Sequence, residues 1–380
     1  MLNSVYITKM AKFLPNAPID NNTIEYYLGL IGGEPSKSLR IVLRRNGIKT
    51  RYYALDEDRN VTHSNADMVA AAVKKLAGNG FDIQQLELLA CGTSTPDQII
   101  PSHASMVHGK LIKSRAVEIV SLSGVCCSGI NALKYAYLAV GSGDKKNAVA
   151  TGSERVSICL LAKNYEEEYR ELKNLKKSPI IAFEKDFLRW MLSDGAGAAL
   201  ISNRPNKEDI SLKFAFIDMY SFAHEVETCM YMGANKLGDG NLKGWCEYDV
   251  QDWLKKSVFC LKQDIKLLDT YIISLGIKKM KQVLEERNVS VSEIDYFLPH
   301  MSSEFFRYKI ADEMEMLGIG IPQKKWFSNL EKVGNVGSAS IYLMLEELCN
   351  SGNLKKGDKI FLLVPESARF SYAYSLLTVC

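Results

Sequence analysis

Hydrophobic and polar positions along the chain form strand-like runs that are followed by stretches with helical spacing. The clearest case is residues 117–143, where the buried-strand pattern VEIVSL leads through a turn of small residues into a helix of about four turns. Apolar residues recur on one side of this helix, at Ile130, Leu133, Ala136, Tyr137 and Val140. Further strand patterns occur in LELLACGTS, NAVATGSE and GAGAALIS, and helical patterns at residues 65–76 and 104–111. This alternation predicts an α/β fold.

The same order of elements occurs twice in the chain. In the first half, a small-residue turn with SGI leads into the helix ALKYAYLAVGSG and then into the strand NAVATGSE. In the second half, GNVGSAS leads into IYLMLEELCNSG and then into KIFLLVPES, and LELLACGTSTP corresponds to IDYFLPHMSS. We therefore predict two pseudo-symmetric halves, residues 1–205 and 206–380, whose loops at matching strand ends converge on one site.

Three other segments carry predictions of their own. Residues 162–186 are heavily charged and interrupt the alternation, which is typical of a surface lid or insertion. Residues 249–287 read as a long helical region. A basic cluster around the turn NGIKTRYY is either a solvated face or a docking patch for a phosphate-bearing partner, and it contains Lys37, Arg40, Arg44, Arg45, Lys49 and Arg51.

Composition and charge narrow the class of protein. The 380 residues carry a net charge of +3, which is too small to indicate nucleic acid or a membrane surface as the partner. Lys9, Lys12 and Pro15 interrupt the first residues, so they do not predict a signal peptide, and no apolar run approaches the roughly 18 residues of a membrane helix. The nine cysteines are scattered and lack C-x-x-C pairs, so we expect no zinc site, no disulfide framework and a cytoplasmic location.

Candidate chemistry lies at the turn before the helix of the first half. Cys126 and Cys127 stand at the start of that helix, where unpaired N–H groups and a partial positive charge lower the pKa of a thiol. We expect Gly129 to leave room for a substrate. A lone cysteine or histidine is most often structural, but His300 at a strand end and Asn335 before a helix lie on loops expected to meet the cysteine turn. These three residue types in one cleft predict a thiol nucleophile that has an imidazole and an amide as partners.

Papain-like proteases share the order Cys, His, Asn, but their C-G-S/A-C-W/Y signature is missing from the sequence. Five motifs instead resemble the β-ketoacyl-carrier-protein synthase III family of thiolase fold, in order and in spacing: GTSTPD, VCCSGINALKYA, SDGAGAAL, FLPHMSS and GNVGSAS. The resemblance implies two mixed-sheet halves in a layered αβαβα arrangement. It assigns Cys127 as the nucleophile and Cys126 as a small buried neighbour. It assigns His300 and Asn335 as the pair that binds the thioester carbonyl and stabilises an enolate.

The resemblance also implies substrates and partners. The substrates would be acyl thioesters of the phosphopantetheine of an acyl carrier protein, or of coenzyme A, with no metal and no bound cofactor. The protein would be a homodimer that joins the acyl group on Cys127 to a second carrier-bound acyl group in a Claisen-type condensation. Four basic residues would contact the phosphopantetheine phosphate or the acidic face of the carrier: Arg40, Arg44, Arg45 and Lys49.

The sequence departs from the family pattern at four places. PESARFSYAY at residues 365–374 replaces a glycine-rich loop that lines the site, and MSSEF follows His300 in place of Q-A-N-x-R. Ile41 stands where an aromatic residue stacks on the adenine of coenzyme A, and Ile158 replaces an arginine. These departures favour a specialised synthase of secondary lipids or polyketides, such as dialkylresorcinols, with the donor chain on a carrier protein.

Three alternatives remain at this point. One is the housekeeping synthase that initiates fatty-acid synthesis. Another is an acyltransferase that forms an ester or an amide, but Asn335 favours a condensing enzyme over this alternative. The third is a non-catalytic partner subunit of a ketosynthase, which typically lacks the nucleophile, so Cys127 argues against it.

Overall fold

The computed structural model describes residues 2–78, 80–174 and 183–380. Its strands are β1 (Tyr6–Phe13), β2 (Ile19–Asp20), β3 (Thr50–Arg51), β4 (Leu88–Thr93), β5 (Glu118–Ser123), β6 (Asn147–Glu154), β7 (Gly195–Ser202), β8 (Leu212–Ser221), β9 (Met230–Tyr231), β10 (Ala234–Lys236), β11 (Leu242–Gly244), β12 (Lys262–Gln263), β13 (Tyr296–Pro299), β14 (Lys359–Glu366) and β15 (Ser371–Val379). Its α-helices are α1 (Ile24–Leu28), α2 (Leu39–Asn46), α3 (Asn65–Lys74), α4 (His103–Gly109), α5 (Cys126–Gly141), α6 (Ser157–Leu160), α7 (Glu166–Asn174), α8 (Phe183–Arg189), α9 (Val250–Lys255), α10 (Ile265–Glu286), α11 (Phe305–Met316), α12 (Leu330–Val333) and α13 (Ser340–Cys349). Within these ranges no helix is both long and apolar enough to span a bilayer.

In the described part of the chain, nine strands form one mixed sheet in the order β13-β14-β15-β8-β1-β7-β6-β4-β5. β4 runs parallel to β6, which is antiparallel to β7, which is antiparallel to β1. The other end repeats this pattern, because β13 is parallel to β14, β14 is antiparallel to β15, and β15 is antiparallel to β8. Two antiparallel pairs between β1 and β8 join the two patterns. The predicted α/β fold is confirmed, whereas the boundary at residue 205, between β7 and β8, stays a prediction.

The strands divide their side chains between three hydrophobic layers. Alternate residues point to opposite faces of a strand, so Leu88 of β4 packs with α5 and Leu89 packs with α3. In β14, Leu362 joins the same central cluster as α5 and α13, and Leu363 joins the cluster of α10 and α11. Helices α5 and α13 are therefore the central layer between the two sheet regions, with further helices outside each.

Close backbone packing at the centre of the molecule depends on glycine. A Cβ atom on Gly129 of α5 would lie 2.1 Å from the carbonyl oxygen of Ser338, and one on Gly152 of β6 would lie 2.2 Å from the same atom. The space that we expected Gly129 to leave for a substrate is thus filled by the carbonyl of Ser338. This contact fixes the start of α5 against the loop that precedes α13.

The prediction of one long helical region is wrong in detail. The region 249–287 is not continuous helix, because the chain turns at Ser257, which has φ = +46°, and then forms β12. A new helix, α10, begins at its N-cap Asp264, whose carboxylate accepts the N–H of Leu267 at 3.0 Å. The basic cluster does surround the predicted turn, because Arg44 and Arg45 lie in the last turn of helix α2 before Gly47, and Lys49 and Arg51 follow it.

The charged segment 162–186 lies partly outside the described residues, at 175–182. Where it is described, its charges are not all at the surface. Lys185 and Asp186 of α8 are buried: Lys185 pairs with Glu168, and Asp186 accepts hydrogen bonds from the hydroxyls of Ser36 and Ser38. The role of this segment as a lid stays a prediction.

Candidate active site

Cys127 lies in the first turn of α5 and is 2% exposed. Its thiol donates to the carbonyl oxygen of Val364 on β14 at 3.3 Å. Burial, and then the carboxylate of Glu366, raise the pKa of the Cys127 thiol well above its usual value. The lowered thiol pKa expected from the helix N-terminus is therefore wrong for this state of the protein.

Cys126 is buried as predicted, at 9% exposure, but it also lines the main cavity of the site. Cys127 lies one residue further along the helix and contacts the sheet through Val364. Burial raises the pKa of the Cys126 thiol well above its usual value too. Neither thiol is therefore activated by its surroundings in the resting state.

His300 follows β13 directly and is held by β14. Its N–H donates to the carbonyl oxygen of Leu363 at 2.8 Å, and the next residue of β14, Val364, accepts the thiol of Cys127. One strand therefore positions both side chains. Burial lowers the pKa of His300 to about 4, so the imidazole is neutral near pH 7 and can donate a hydrogen bond without carrying a full charge.

Asn335 lies in the loop between α12 and α13. Its N–H donates to the carbonyl oxygen of Met191 at 3.1 Å, and its own carbonyl accepts the N–H of Ser193 at 2.9 Å. The side-chain Oδ1 accepts the N–H of Gly337 at 3.0 Å, which fixes the orientation of the amide. The side-chain NH₂ group of Asn335 can therefore act as a hydrogen-bond donor.

A buried polar network supports this loop. The hydroxyl of Ser338 donates to the carbonyl of Ser153 at 2.9 Å, and its N–H donates to the carboxylate of Glu154 at 3.2 Å. Glu154 also accepts the hydroxyls of Ser94 at 2.6 Å and of Thr95 at 2.8 Å. Its burial raises the pKa of the carboxyl group. We did not predict this network, although Glu154 ends a strand, where site residues are common.

His300, Asn335 and Cys126 open on one cavity of about 270 Å³. Its other walls are mostly apolar and include residues of α10, α11, β15 and the connecting loops, with Met191, Ile272, Ile277, Phe306, Ile310 and Tyr372 among them. An apolar cavity of 150 Å³ holds benzene, so 270 Å³ has room for roughly ten carbon atoms. We call this cavity the acyl chamber. His300 and Asn335 thus meet at an apolar space that the sequence did not reveal, whereas Cys127 is not among the described residues that line it.

The segment that replaces the glycine-rich loop is a short hairpin between β14 and β15. Phe370 is buried with φ = +55°, the carbonyl of Ala368 accepts the N–H of Cys229 at 2.9 Å, and the Gln263 side chain donates to the hydroxyl of Ser367 at 2.8 Å. The hairpin is therefore firmly bonded to its surroundings. It delivers the carboxylate of Glu366 to the start of α5. The departure of this segment from the family pattern was visible in the sequence, but the contact of Glu366 with α5 was not.

The basic residues lie on and after α2, close to the loop that follows His300. The N–H of Glu304 in that loop donates to the carbonyl of Asn46, the last residue of α2, at 3.0 Å. The four predicted carrier contacts are not among the described residues that line the acyl chamber: Arg40, Arg44, Arg45 and Lys49. All four are exposed, and Lys49 forms an ion pair with Glu331. Ile41 is 56% exposed on the same helix.

Comparisons with known proteins agree with this geometry. A family profile described as "3-Oxoacyl-[acyl-carrier-protein (ACP)] synthase III C terminal" matches residues 284–372. The β-ketoacyl-(acyl-carrier-protein) synthase III of Clostridium perfringens is 25% identical over 352 residues, which is 92% of each chain.

Solved structures share the fold. The 3-oxoacyl-(acyl-carrier-protein) synthase III of Aquifex aeolicus has a TM-score of 0.70 at 22% identity and covers 98% of this chain and 99% of its own. OleA of Xanthomonas campestris, solved with bound lauric acid and lauroyl-CoA, has a TM-score of 0.74 at 20% identity over 100% of both chains. The predicted thiolase fold is confirmed, and over most of its length the sequence is similar to β-ketoacyl-(acyl-carrier-protein) synthase III proteins.

Proposed function

We propose that this protein is a thioester-dependent condensing enzyme in which Cys127 carries the acyl group and His300 and Asn335 act on the second substrate. The observation that carries this proposal is the convergence of His300, Asn335 and the cysteine turn at one apolar cavity with room for a chain. The synthase name of the Clostridium relative supports the same reaction class.

The reaction has two steps. First, the sulfur of Cys127 attacks the carbonyl carbon of a carrier thioester, the C–S bond to the carrier breaks, and the carrier leaves as a thiol with the proton from Cys127. Second, the α-carbon of a carrier-bound acceptor gives up a proton to form an enolate, and this carbon attacks the acyl carbonyl on Cys127. A C–C bond forms, the C–S bond to Cys127 breaks, and the departing sulfur takes up a proton to become the free thiol, so that no net proton is gained or lost.

His300 and Asn335 serve the second step. A neutral imidazole and a side-chain amide are both hydrogen-bond donors that suit an enolate oxygen, and each such donor contributes on the order of 3 kcal/mol. The apolar walls of the acyl chamber suit the chain on Cys127, because they offer burial to methylene groups. From the volume of the chamber we infer an aliphatic acyl chain of medium length. The lauroyl group bound by OleA is of similar size.

The direct test is peptide mass mapping after incubation with acyl carrier proteins loaded with chains of different length. We expect the acyl adduct on Cys127 in the wild type and in Cys126→Ser, which is the matched control. Cys127→Ser should carry no adduct. An adduct on Cys126 in Cys127→Ser would contradict the assignment of the nucleophile.

We further propose that the donor chain arrives on a carrier protein rather than on coenzyme A. Ile41 offers no aromatic face to an adenine base, and stacking of a base on an aromatic side chain is worth roughly 1–3 kcal/mol. The exposed residues Arg40, Arg44 and Arg45 suit a phosphopantetheine phosphate and an acidic carrier surface, where such charges mainly speed encounter. Turnover with the carrier should fall with added salt, and Arg45→Ala should weaken it. Equal kcat/KM for the same chain on coenzyme A would contradict this proposal.

The homodimer also remains a proposal. β5 is the last strand of the sheet beside α5, and most of its residues are exposed or half-buried. Leu138 and Tyr135 of α5 are exposed as well. A strand edge with apolar neighbours is suited to pairing with a second copy. Light scattering at micromolar concentration should give twice the mass of the chain, and Leu138→Glu should lower that mass.

A further inference from the structure

The carboxylate of Glu366 occupies the backbone donors at the start of the cysteine helix. One of its oxygens, Oε2, accepts the N–H of Cys127 at 2.8 Å and the N–H of Val125 at 2.9 Å. The N–H of Ser128 bonds instead to the carbonyl of Val125 at 3.1 Å. Glu366 is itself only 8% exposed, so the two bonds are screened from water.

These donors are the ones that acylation needs. When the sulfur of Cys127 attacks a thioester, negative charge develops on the carbonyl oxygen, and a backbone N–H at a helix start stabilises such a charge. The backbone N–H of the nucleophilic residue lies close to that oxygen, because the oxygen is on the carbon that bonds to the sulfur of the same residue. With Glu366 in place, the N–H of Cys127 is already used by a charged acceptor.

The same carboxylate also acts on the thiol. A negative charge beside a thiol disfavours the thiolate, and Glu366 is the second cause, after burial, of the raised pKa of Cys127. Among the described residues, the titratable groups whose charges interact with Glu366 are the thiols of Cys126 and Cys127 on α5. The carboxylate of Glu154 on β6 also interacts with Cys126. Burial raises the pKa of Glu366 above its usual value.

We propose that Glu366 is a positioning residue that closes the oxyanion-binding N–H of Cys127 in the resting enzyme and releases it when an acyl thioester enters. This proposal rests on the function proposed above. The hairpin that carries Glu366 is fixed by Phe370 and Ala368, so the release is a rotation of one side chain rather than a movement of the loop. Protonation of Glu366 weakens its hold on the two N–H groups, because a neutral acid is a weaker acceptor than a carboxylate. The hydrogen bonds by which Glu366 occupies these N–H groups therefore become stronger as pH rises.

The test compares wild type with Glu366→Gln, which keeps the size and the acceptor but removes the charge, and with Glu366→Ala, which empties the position. Glu346→Gln is the matched control, since Glu346 is a partly buried carboxylate of α13 that pairs with Lys12 at 2.7 Å. Alkylation of Cys127 by iodoacetamide, followed by peptide mapping, reports the thiol alone. Single-turnover acylation by acyl carrier protein reports the thiol and the oxyanion site together.

We expect Glu366→Gln to speed alkylation of Cys127 about tenfold at pH 8, because removal of the neighbouring negative charge favours the thiolate. Acylation should rise in the order Glu, Gln, Ala at pH 8, and the gap between wild type and Glu366→Gln should narrow toward pH 5.5. Identical pH profiles for wild type and Glu366→Gln would overturn the proposal, as would slower alkylation in the variant. A wild type that alkylates but accepts no acyl group would reject the proposed function, while the alkylation profiles would still decide the role of Glu366.

Discussion

The contact between Gly129 and Ser338 leads to a quantitative prediction about Gly129→Ala. The added methyl group would lie 2.1 Å from the carbonyl oxygen of Ser338 and 3.2 Å from the ring of Tyr342. Heavy atoms do not approach a Cβ within 3.0 Å, so α5 and the Ser338 loop must separate by at least 3.0 − 2.1 = 0.9 Å. Ser338 cannot yield alone, because its hydroxyl and N–H are bonded to Ser153 and Glu154.

The expected loss of stability is modest, whereas the loss of activity is large. Overpacking costs about 1–3 kcal/mol, and alanine recovers about 1 kcal/mol over glycine within a helix. A net destabilisation of about 0–2 kcal/mol follows. The separation also moves Asn335, three residues from Ser338, relative to Cys127, and a displacement of about 1 Å in a catalytic group costs about 100-fold in rate.

The assay is kcat/KM for condensation, measured beside thermal unfolding. Gly109→Ala is the matched control, because Gly109 is the last residue of helix α4 and a Cβ there meets nothing within 4 Å. We expect the control to keep wild-type activity and Gly129→Ala to lose about 100-fold. Activity of Gly129→Ala within threefold of wild type would refute the reasoning, and so would equal losses in both variants.

Three further predictions follow from the site. His300→Ala and Asn335→Ala should still acylate Cys127 but should lose about 100-fold or more in condensation, which single-turnover assays separate. The pKa of His300 is about 4 in the folded protein and about 6.5 when unfolded, so its contribution to stability is complete above pH 6.5 and is lost as pH falls toward 4. In urea unfolding, the free energy of unfolding of the wild type should therefore fall relative to that of His300→Asn as pH is lowered from 6.5 to 4. Ile310→Trp should fill part of the acyl chamber and shorten the preferred donor chain, as a carrier panel would show.

The sequence allowed the fold and the polar residues of the site to be predicted because both leave local patterns. Strand and helix spacing repeats in the two halves, and His300 and Asn335 stand at the strand end and loop that the repeat aligns with the cysteine turn. What a side chain meets across the molecule leaves no such pattern. The contact of Glu366 with Cys127 joins residues 239 positions apart, and the burial that raises the thiol pKa depends on packing. The helix break at Ser257 likewise follows from tertiary contacts rather than from periodicity.

The structure separates the parts that set catalysis from the parts that set the substrate. Cys127 lies in the first turn of α5 and Asn335 precedes α13, and the Gly129–Ser338 contact and the Glu154 network hold these two central helices in register. The walls of the acyl chamber include residues of α10 and α11, which pack on the opposite face of β14. Because alternate residues of β14 serve the two faces, the chamber can change size without moving Val364, which binds the thiol. Glu366 ends the same strand. A substitution there acts on the helix start directly. Pro365, Ser367 and Tyr372 of the same segment line the acyl chamber, so the departure from the glycine-rich loop bears on reactivity and on the space for the chain.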